Sequence, residues 1–215
     1  MAAWPAARPV TPELLIAELA DRAASLAGDG WARVAVDGPP GADPGAFADE
    51  LADALRERGR AVQRVSTVDF LRPASVRLEH GRDDPDSYYE GWLDEAALLR
   101  EVLRPLDRGG SGEILPRLWN QATDRSYRAR RVALAVPGVL LLDGPLLLGR
   151  GLPLELTVHL ALSGGALARR TPPQLRWTLP AFDRYRGEVE PERVADVVVR
   201  WDHPSHPAIR TAAAG

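Results

Sequence analysis

Apolar residues recur at helical spacing from Leu14 through Leu15, Ala17, Leu19 and Ala20, and Thr11-Pro12-Glu13 before them has the form of an N-cap with proline at the first helical position. This predicts a helix over 11–27, ended by Gly28-Asp29-Gly30. A short apolar run over 31–36 reads as a strand; a glycine-rich turn follows it, and then a helical pattern over 45–58, which together form a βα unit. Further strands are expected at 61–67, 139–142, 154–162 and 194–199, with a helix at 93–102. Short apolar strands alternating with helices imply a three-layer α/β fold, its mostly parallel sheet covered on both faces. Ligands of such sheets bind outside the carboxyl ends of the strands, which would gather Asp37, Asp69 and Asp143 around one crevice.

Two stretches resist the pattern: 72–89, rich in charge and turn residues, and 107–129, which contains Gly109-Gly110-Ser111-Gly112. They read as long loops or small insertions in a single domain spanning 1–215. The tail from His203 onward is punctuated by proline and is expected to be peripheral; two histidines there, His203 and His206, lack further ligands for a metal. With 45% apolar and 27% charged residues in 215, the chain can bury one sizeable core. Its net charge of -3 gives no sign of a surface for nucleic acid, and every cationic side chain other than histidine is an arginine. The absence of cysteine excludes disulfides and thiolate metal sites. Residues 1–5 lack the basic start of a signal peptide, and the apolar run from Val139 to Leu148 is broken by Asp143-Gly144-Pro145, too short to span a bilayer. A cytoplasmic protein with a small-molecule ligand is expected, with no membrane partner; the oligomeric state stays open.

One stretch frames a phosphate-binding loop: Asp37-Gly38-Pro39-Pro40-Gly41-Ala42-Asp43-Pro44-Gly45. In a loop of the form G-x-x-x-x-G-K-[ST], backbone N–H groups cradle phosphates, the lysine meets the terminal phosphates and the hydroxyl holds Mg²⁺. Here the second glycine is Asp43, the lysine is Pro44 and the hydroxyl is Gly45, in a chain with no lysine anywhere. Asp43 adds a carboxylate near the triphosphate's place: unit charges ~4 Å apart repel by roughly 1 kcal/mol in water and about 4 at an effective dielectric near 20. Poor ATP binding in the usual pose is expected. The plain alternative is a tight strand-to-helix turn, in which Gly38 and Gly41 serve backbone geometry and Pro44 starts the helix.

The segments Val34-Ala35-Val36-Asp37-Gly38-Pro39-Pro40-Gly41, Val68-Asp69-Phe70-Leu71-Arg72-Pro73, Gly81-Arg82-Asp83-Asp84-Pro85-Asp86-Ser87-Tyr88-Tyr89 and Leu140-Leu141-Leu142-Asp143-Gly144 come in the order found in the uridine kinase family. Pro180-Ala181-Phe182 and Ala195-Asp196-Val197-Val198-Val199 extend the likeness, so that the chain resembles bacterial uridine-kinase-like P-loop proteins over 11–210. The resemblance implies a P-loop kinase fold and phosphoryl transfer from ATP to the 5′-hydroxyl of a pyrimidine nucleoside, with ATP and Mg²⁺ as cofactors if the activity survives. It implies that Asp143 binds Mg²⁺ through water, that Asp83 holds ribose hydroxyls, and that Arg169, Arg170 and Arg176 belong to a short lid near 168–180. The catalytic carboxylate of the family falls one residue before Asp69, at Val68, so Asp69 serves only by a local slip.

Each of these residues has a plainer role: Asp143 as the polar end of a buried strand, Asp83-Asp84 before Pro85 as a turn, the arginines as solvated surface. Trp92, Trp119 and Trp177 fall near the expected acceptor pocket and hint at a flat or apolar ligand, nucleoside-like or aromatic; Tyr88, Tyr89 and His80 lie in the same region. Three functions remain open on these grounds. The first is a uridine-kinase-like protein with a small-molecule pocket around Asp69, Asp83 and Asp143 and with ordinary phosphoryl transfer lost or repurposed. The second is an active nucleoside kinase in which an arginine such as Arg169 or Arg170 replaces the lysine. The third is a non-catalytic interaction protein.

Overall fold

A computed structural model describes residues 7–211. Helix α1 (Pro12–Ala27) starts at Thr11, whose hydroxyl accepts the Leu14 N–H, and ends at Gly28 with φ of 52°. Strands β1 (Arg8–Pro9), β2 (Trp31–Asp37), β3 (Ala61–Ser66), β4 (Gly138–Gly144), β5 (Leu156–Ala161), β6 (Val197–Arg200) and β7 (Ala208–Thr211) form one sheet in the order β1-β7-β6-β5-β2-β4-β3. The run from β6 to β3 is parallel, and β1 and β7 add an antiparallel edge. Helix α2 (Pro44–Glu57) connects β2 to β3. These elements bear out the three-layer, mostly parallel α/β expectation.

Strand alternation sorts the core into two layers. Val34, Val36, Leu141, Val158 and Leu160 pack with Leu15, Leu19, Phe47, Leu51 and Leu55 of α1 and α2. Ala35, Val65, Leu140 and Leu142 pack on the other side with Phe70, Leu98, Leu103, Ile114 and Leu147. All seven residues of β4 are buried, as a central strand covered on both faces requires.

Several boundaries differ from the sequence reading for physical reasons. The helix expected over 93–102 is α-helical only at Glu95–Leu98, then widens to a π-helix over Leu99–Leu103. Pro105 offers no N–H to the Glu101 carbonyl, which accepts from Leu115 instead. The stretch 72–89 folds into two short helices, Ala74–Arg77 and Pro85–Glu90, here α3 and α4. Within 107–129 and just beyond, Glu113–Ile114 pairs with Val132–Ala133 and Trp119–Asn120 with Arg125–Ser126. The strand expected over 194–199 begins at Val197, because Pro191–Val194 forms a helical turn. The tail is not peripheral: β7 lies between β1 and β6, with Ile209 buried. Residues 1–5 fall outside the described residues.

A buried polar network ties the carboxyl end of β2 to its surroundings. Asp37, wholly buried, accepts the Leu147 N–H at 2.9 Å and the Tyr185 hydroxyl at 3.1 Å, and meets His159 Nδ1 at 2.6 Å. The Tyr185 oxygen accepts the Leu148 N–H at 2.9 Å. Burial, and after it the neighbouring Asp37 charge, push the Tyr185 hydroxyl far above its ordinary pKa, so it stays protonated and donates. Tyr185→Phe strands the Leu148 N–H and one Asp37 oxygen contact, and chemical denaturation should show a loss of about 1–3 kcal/mol.

Candidate functional site

After β2, Pro40–Ala42 make one 3-10 turn and Asp43 adopts a left-handed conformation with φ of 52° to cap α2. Its carboxylate accepts the Ala46 N–H at 3.1 Å, and Pro44 behind it has no N–H to give. The start of α2 thus spends on its own cap a donor that would otherwise face an anion. A Cβ on Gly38 would lie 3.1 Å from the Leu160 Cβ, and one on Gly41 would lie 2.9 Å from the Arg170 Cβ. Both glycines therefore have a packing reason to be glycine. The turn is also gripped from outside: the Trp201 indole N–H donates to the Ala42 carbonyl at 2.9 Å.

Ser66 and Asp143 are register partners across β3 and β4, and strand alternation puts Arg64 on the same side, facing α2. The Asp143 side chain, 4% exposed, accepts from Arg64 Nε at 2.6 Å, Arg64 Nη2 at 3.2 Å and Ser66 Oγ at 2.9 Å. Arg64 Nη1 reaches both oxygens of Asp49 at 2.9 Å; that carboxylate is 64% exposed. The hydrogen bond to Asp143, with the fields of Asp143 and Asp49, raises the Arg64 pKa further despite partial burial. The guanidinium lies over Gly45: a Cβ there would be 2.6 Å from Nη2 and 3.6 Å from Asp143 Oδ2.

This pair forms the polar end of a cavity of about 440 Å³, which Asp43, Pro44, Gly45 and Ser66 also line. The opposite wall is aromatic. Tyr88 of α4 meets Trp92 edge-on at 5.1 Å and Trp177 at 5.6 Å, and the two tryptophans are 5.6 Å apart. The Arg77 guanidinium sits 4.9 Å from the Trp92 ring centre. The Trp92 indole N–H is buried without a hydrogen-bond partner, and burial raises the pKa of the Tyr88 hydroxyl. Arg150, also in the wall, pairs with Glu95 and donates to the Tyr89 carbonyl at 2.8 Å, joining α4 to the turn after β4. Arg184 joins α4 to helix α7 (Leu179–Glu188; α5 and α6 being Glu95–Leu98 and Gly164–Arg170): it pairs with Asp86, Glu90 and Glu188 and lies 4.6 Å from the Tyr89 ring centre.

Of the residues singled out in the sequence, Asp43, Pro44, Gly45, Tyr88, Trp92, Asp143 and Trp177 meet at this cavity. Asp69 does not: its carboxylate faces Arg117 at 3.4 Å, while Val68 lines the wall. Asp83 is exposed in the turn before α4, and its neighbour Asp84 caps that helix through the Ser87 N–H. Trp119 donates to Asp124 on its small hairpin and does not line the cavity, although Gln121 in the turn of that hairpin does. Arg169 and Arg176 are exposed, and Arg170 donates to the carbonyls of Trp201 and Asp202. Sequence reasoning missed Arg64, Ser66 and Arg150. The signal for the first two was present: Arg64 and Ser66 continue the parity of Val62 in β3, placing polar groups on a face that packs against α2. Among the described residues no group of three or more histidines or carboxylates is placed to hold a metal, and no helix is long and apolar enough to cross a membrane.

No protein-family model and no curated protein matches this sequence. Solved structures do. A protein described as a possible uridine kinase from Bacillus stearothermophilus aligns with a TM-score of 0.65 and 23% identity, over 84% of this chain and 98% of that one. A fructose transport system kinase, so described provisionally, from Silicibacter sp. TM1040 aligns with a TM-score of 0.59 and 20% identity, over 84% and 94%. The YGR205w protein aligns with a TM-score of 0.55 and 12% identity, over 94% and 99%. At these identities the likeness establishes the fold, which is that of P-loop kinases.

Arg170 anchors the end of β6 and packs on Gly41 without reaching the cavity. Arg170→Ala should lower the melting temperature, by about 1–2 kcal/mol of stability for the lost bonds to two carbonyls, and leave ligand affinity unchanged.

Proposed function

We propose that this protein binds a nucleoside-like or other flat small molecule in the cavity above β3 and β4, and that ordinary ATP-dependent phosphoryl transfer has been lost or repurposed. One observation carries the reading: the cavity has an aromatic wall of Tyr88, Trp92 and Trp177, but the start of α2 beneath its polar end is closed to phosphate by Asp43 and Pro44. Phosphoryl transfer depends on a cradle of donors and a cation around the transferred group. Here one N–H is missing, another is taken by Asp43, and the carboxylate of Asp143 is already paired. The neighbours' names, uridine kinase and fructose transport system kinase, both suggest a hydroxyl-bearing small molecule.

A second reading, an active nucleoside kinase with unusual phosphate handling, is favoured by the guanidinium at the start of α2. That cation is Arg64 of β3, whereas Arg169 and Arg170 lie outside the cavity wall. An interaction protein without a small-molecule site has less support: of the exposed apolar side chains Leu14, Leu26, Val68, Val76, Val136 and Val194, only Leu14 and Leu26 share an element, and they stand near its opposite ends. A cytoplasmic location is part of the proposal.

Calorimetric titration separates these readings. MgATP up to millimolar concentration should give no saturable heat, while uridine should bind; Trp177→Leu should weaken uridine roughly tenfold or more, the scale of a lost stacking contact of about 1–3 kcal/mol. Asp83→Ala, lying outside the wall, should leave uridine affinity unchanged. Saturable MgATP binding would replace this reading with the active kinase.

A further inference from the structure

The fold family implies Mg²⁺ at Asp143, held in P-loop proteins together with the hydroxyl that ends the loop. The residues here do not fit that ion. The hydroxyl position is Gly45. Both oxygens of Asp143 are engaged by Arg64, and Ser66 uses its hydroxyl proton on the same carboxylate. No cluster of three carboxylates or histidines among the described residues makes up the loss. A divalent cation beside Asp143 would also face a guanidinium whose charge is fixed.

The misfit has a specific geometry. A side chain at position 45 would start 2.6 Å from Arg64 Nη2 and 3.6 Å from Asp143 Oδ2, so the guanidinium fills the space where a loop hydroxyl would stand beside the carboxylate. Gly45 and Arg64 are thus complementary: the absence of a side chain at one makes room for the other. We propose that Arg64 takes the place of the divalent cation, a tethered organic cation that makes this cavity work without metal. The two arms of the guanidinium are unequal. Nε and Nη2 are fixed on buried Asp143, whereas Nη1 is held only by the exposed carboxylate of Asp49, an exchangeable partner. This deepens the small-molecule reading and rests on the same cavity, but its first test needs no ligand.

Mn²⁺ is the probe, read by electron paramagnetic resonance and by melting temperature. Wild type should bind no Mn²⁺ at millimolar concentration and melt unchanged. Arg64→Ala, and the double change Gly45→Ser with Arg64→Ala, should bind it and gain about 3 °C or more. If Arg64→Ala does not fold, Arg64→Gln keeps a donor for Asp143 and should show the same gain. Gly45→Ser alone should lower the melting temperature, and removing the Arg64 side chain should relieve that loss, so the two changes are not additive. Saturable Mn²⁺ binding by wild type, no gain in any Arg64 variant, or additive effects at 45 and 64 would each overturn the proposal. Uridine titrated in EDTA should bind wild type as it does in Mg²⁺; a requirement for Mg²⁺ would overturn this inference alone. Absence of uridine binding in both buffers would overturn the small-molecule reading and leave the Mn²⁺ result to decide this one.

Discussion

A carboxylate removed from water must find partners, and this fold sets one at the carboxyl end of each of two adjacent inner strands: Asp37 on β2 and Asp143 on β4. Their side chains leave opposite faces of the sheet, and each organises its own side. Asp37 collects the Leu147 N–H, Tyr185 and His159, and so pins the turn after β4 and helix α7 to the carboxyl end of β2. Asp143 collects Arg64 and Ser66, and so fixes what stands at the start of α2. The floor and one side of the cavity follow from these two sets of bonds. Hydrophobic packing builds the layers, but the charged strand ends decide how the crevice above them is furnished.

The layers were legible in the sequence because strand and helix periodicities are strong there: 11–27, 31–36 and 45–58 each carry an uninterrupted pattern and a cap or glycine stop. The departures arose where a single backbone group overrides periodicity. Pro105 is the case in the helix after Asp94, and Pro191 the case before β6. The tail was misread because four residues with one buried side chain, Ile209, give almost no pattern, yet they complete an edge that β6 would otherwise leave open.

The cavity was half legible. Asp43, Pro44 and Gly45 stood out because a loop motif fixes their spacing, Asp143 because it ends an apolar strand in a segment that resembles the family, and Trp92 and Trp177 because they fall near the expected acceptor pocket. Arg64 was hidden in plain sight: its meaning depends on which strand β3 adjoins, and only the parallel pairing with β4 brings it to Asp143. Asp69 and Asp83 show the converse. Motif order placed them at a site, but a 3-10 turn aims one at Arg117 and a helix cap leaves the other in solvent.

The contacts of Arg184 bear on a different property. The helix that carries Tyr88 is fastened to α7 by two ion pairs at the surface, from Arg184 to Asp86 and Glu90, and by the same cation seated on the ring of Tyr89. Attractions between exposed charges are screened over roughly 8–10 Å at ordinary salt and over far less in concentrated salt. The aromatic wall is therefore hung on a fastening whose grip depends on ionic strength, while the Asp143 side of the cavity, being buried, is largely indifferent to it. Salt would soften one jaw of the cavity and leave the other rigid.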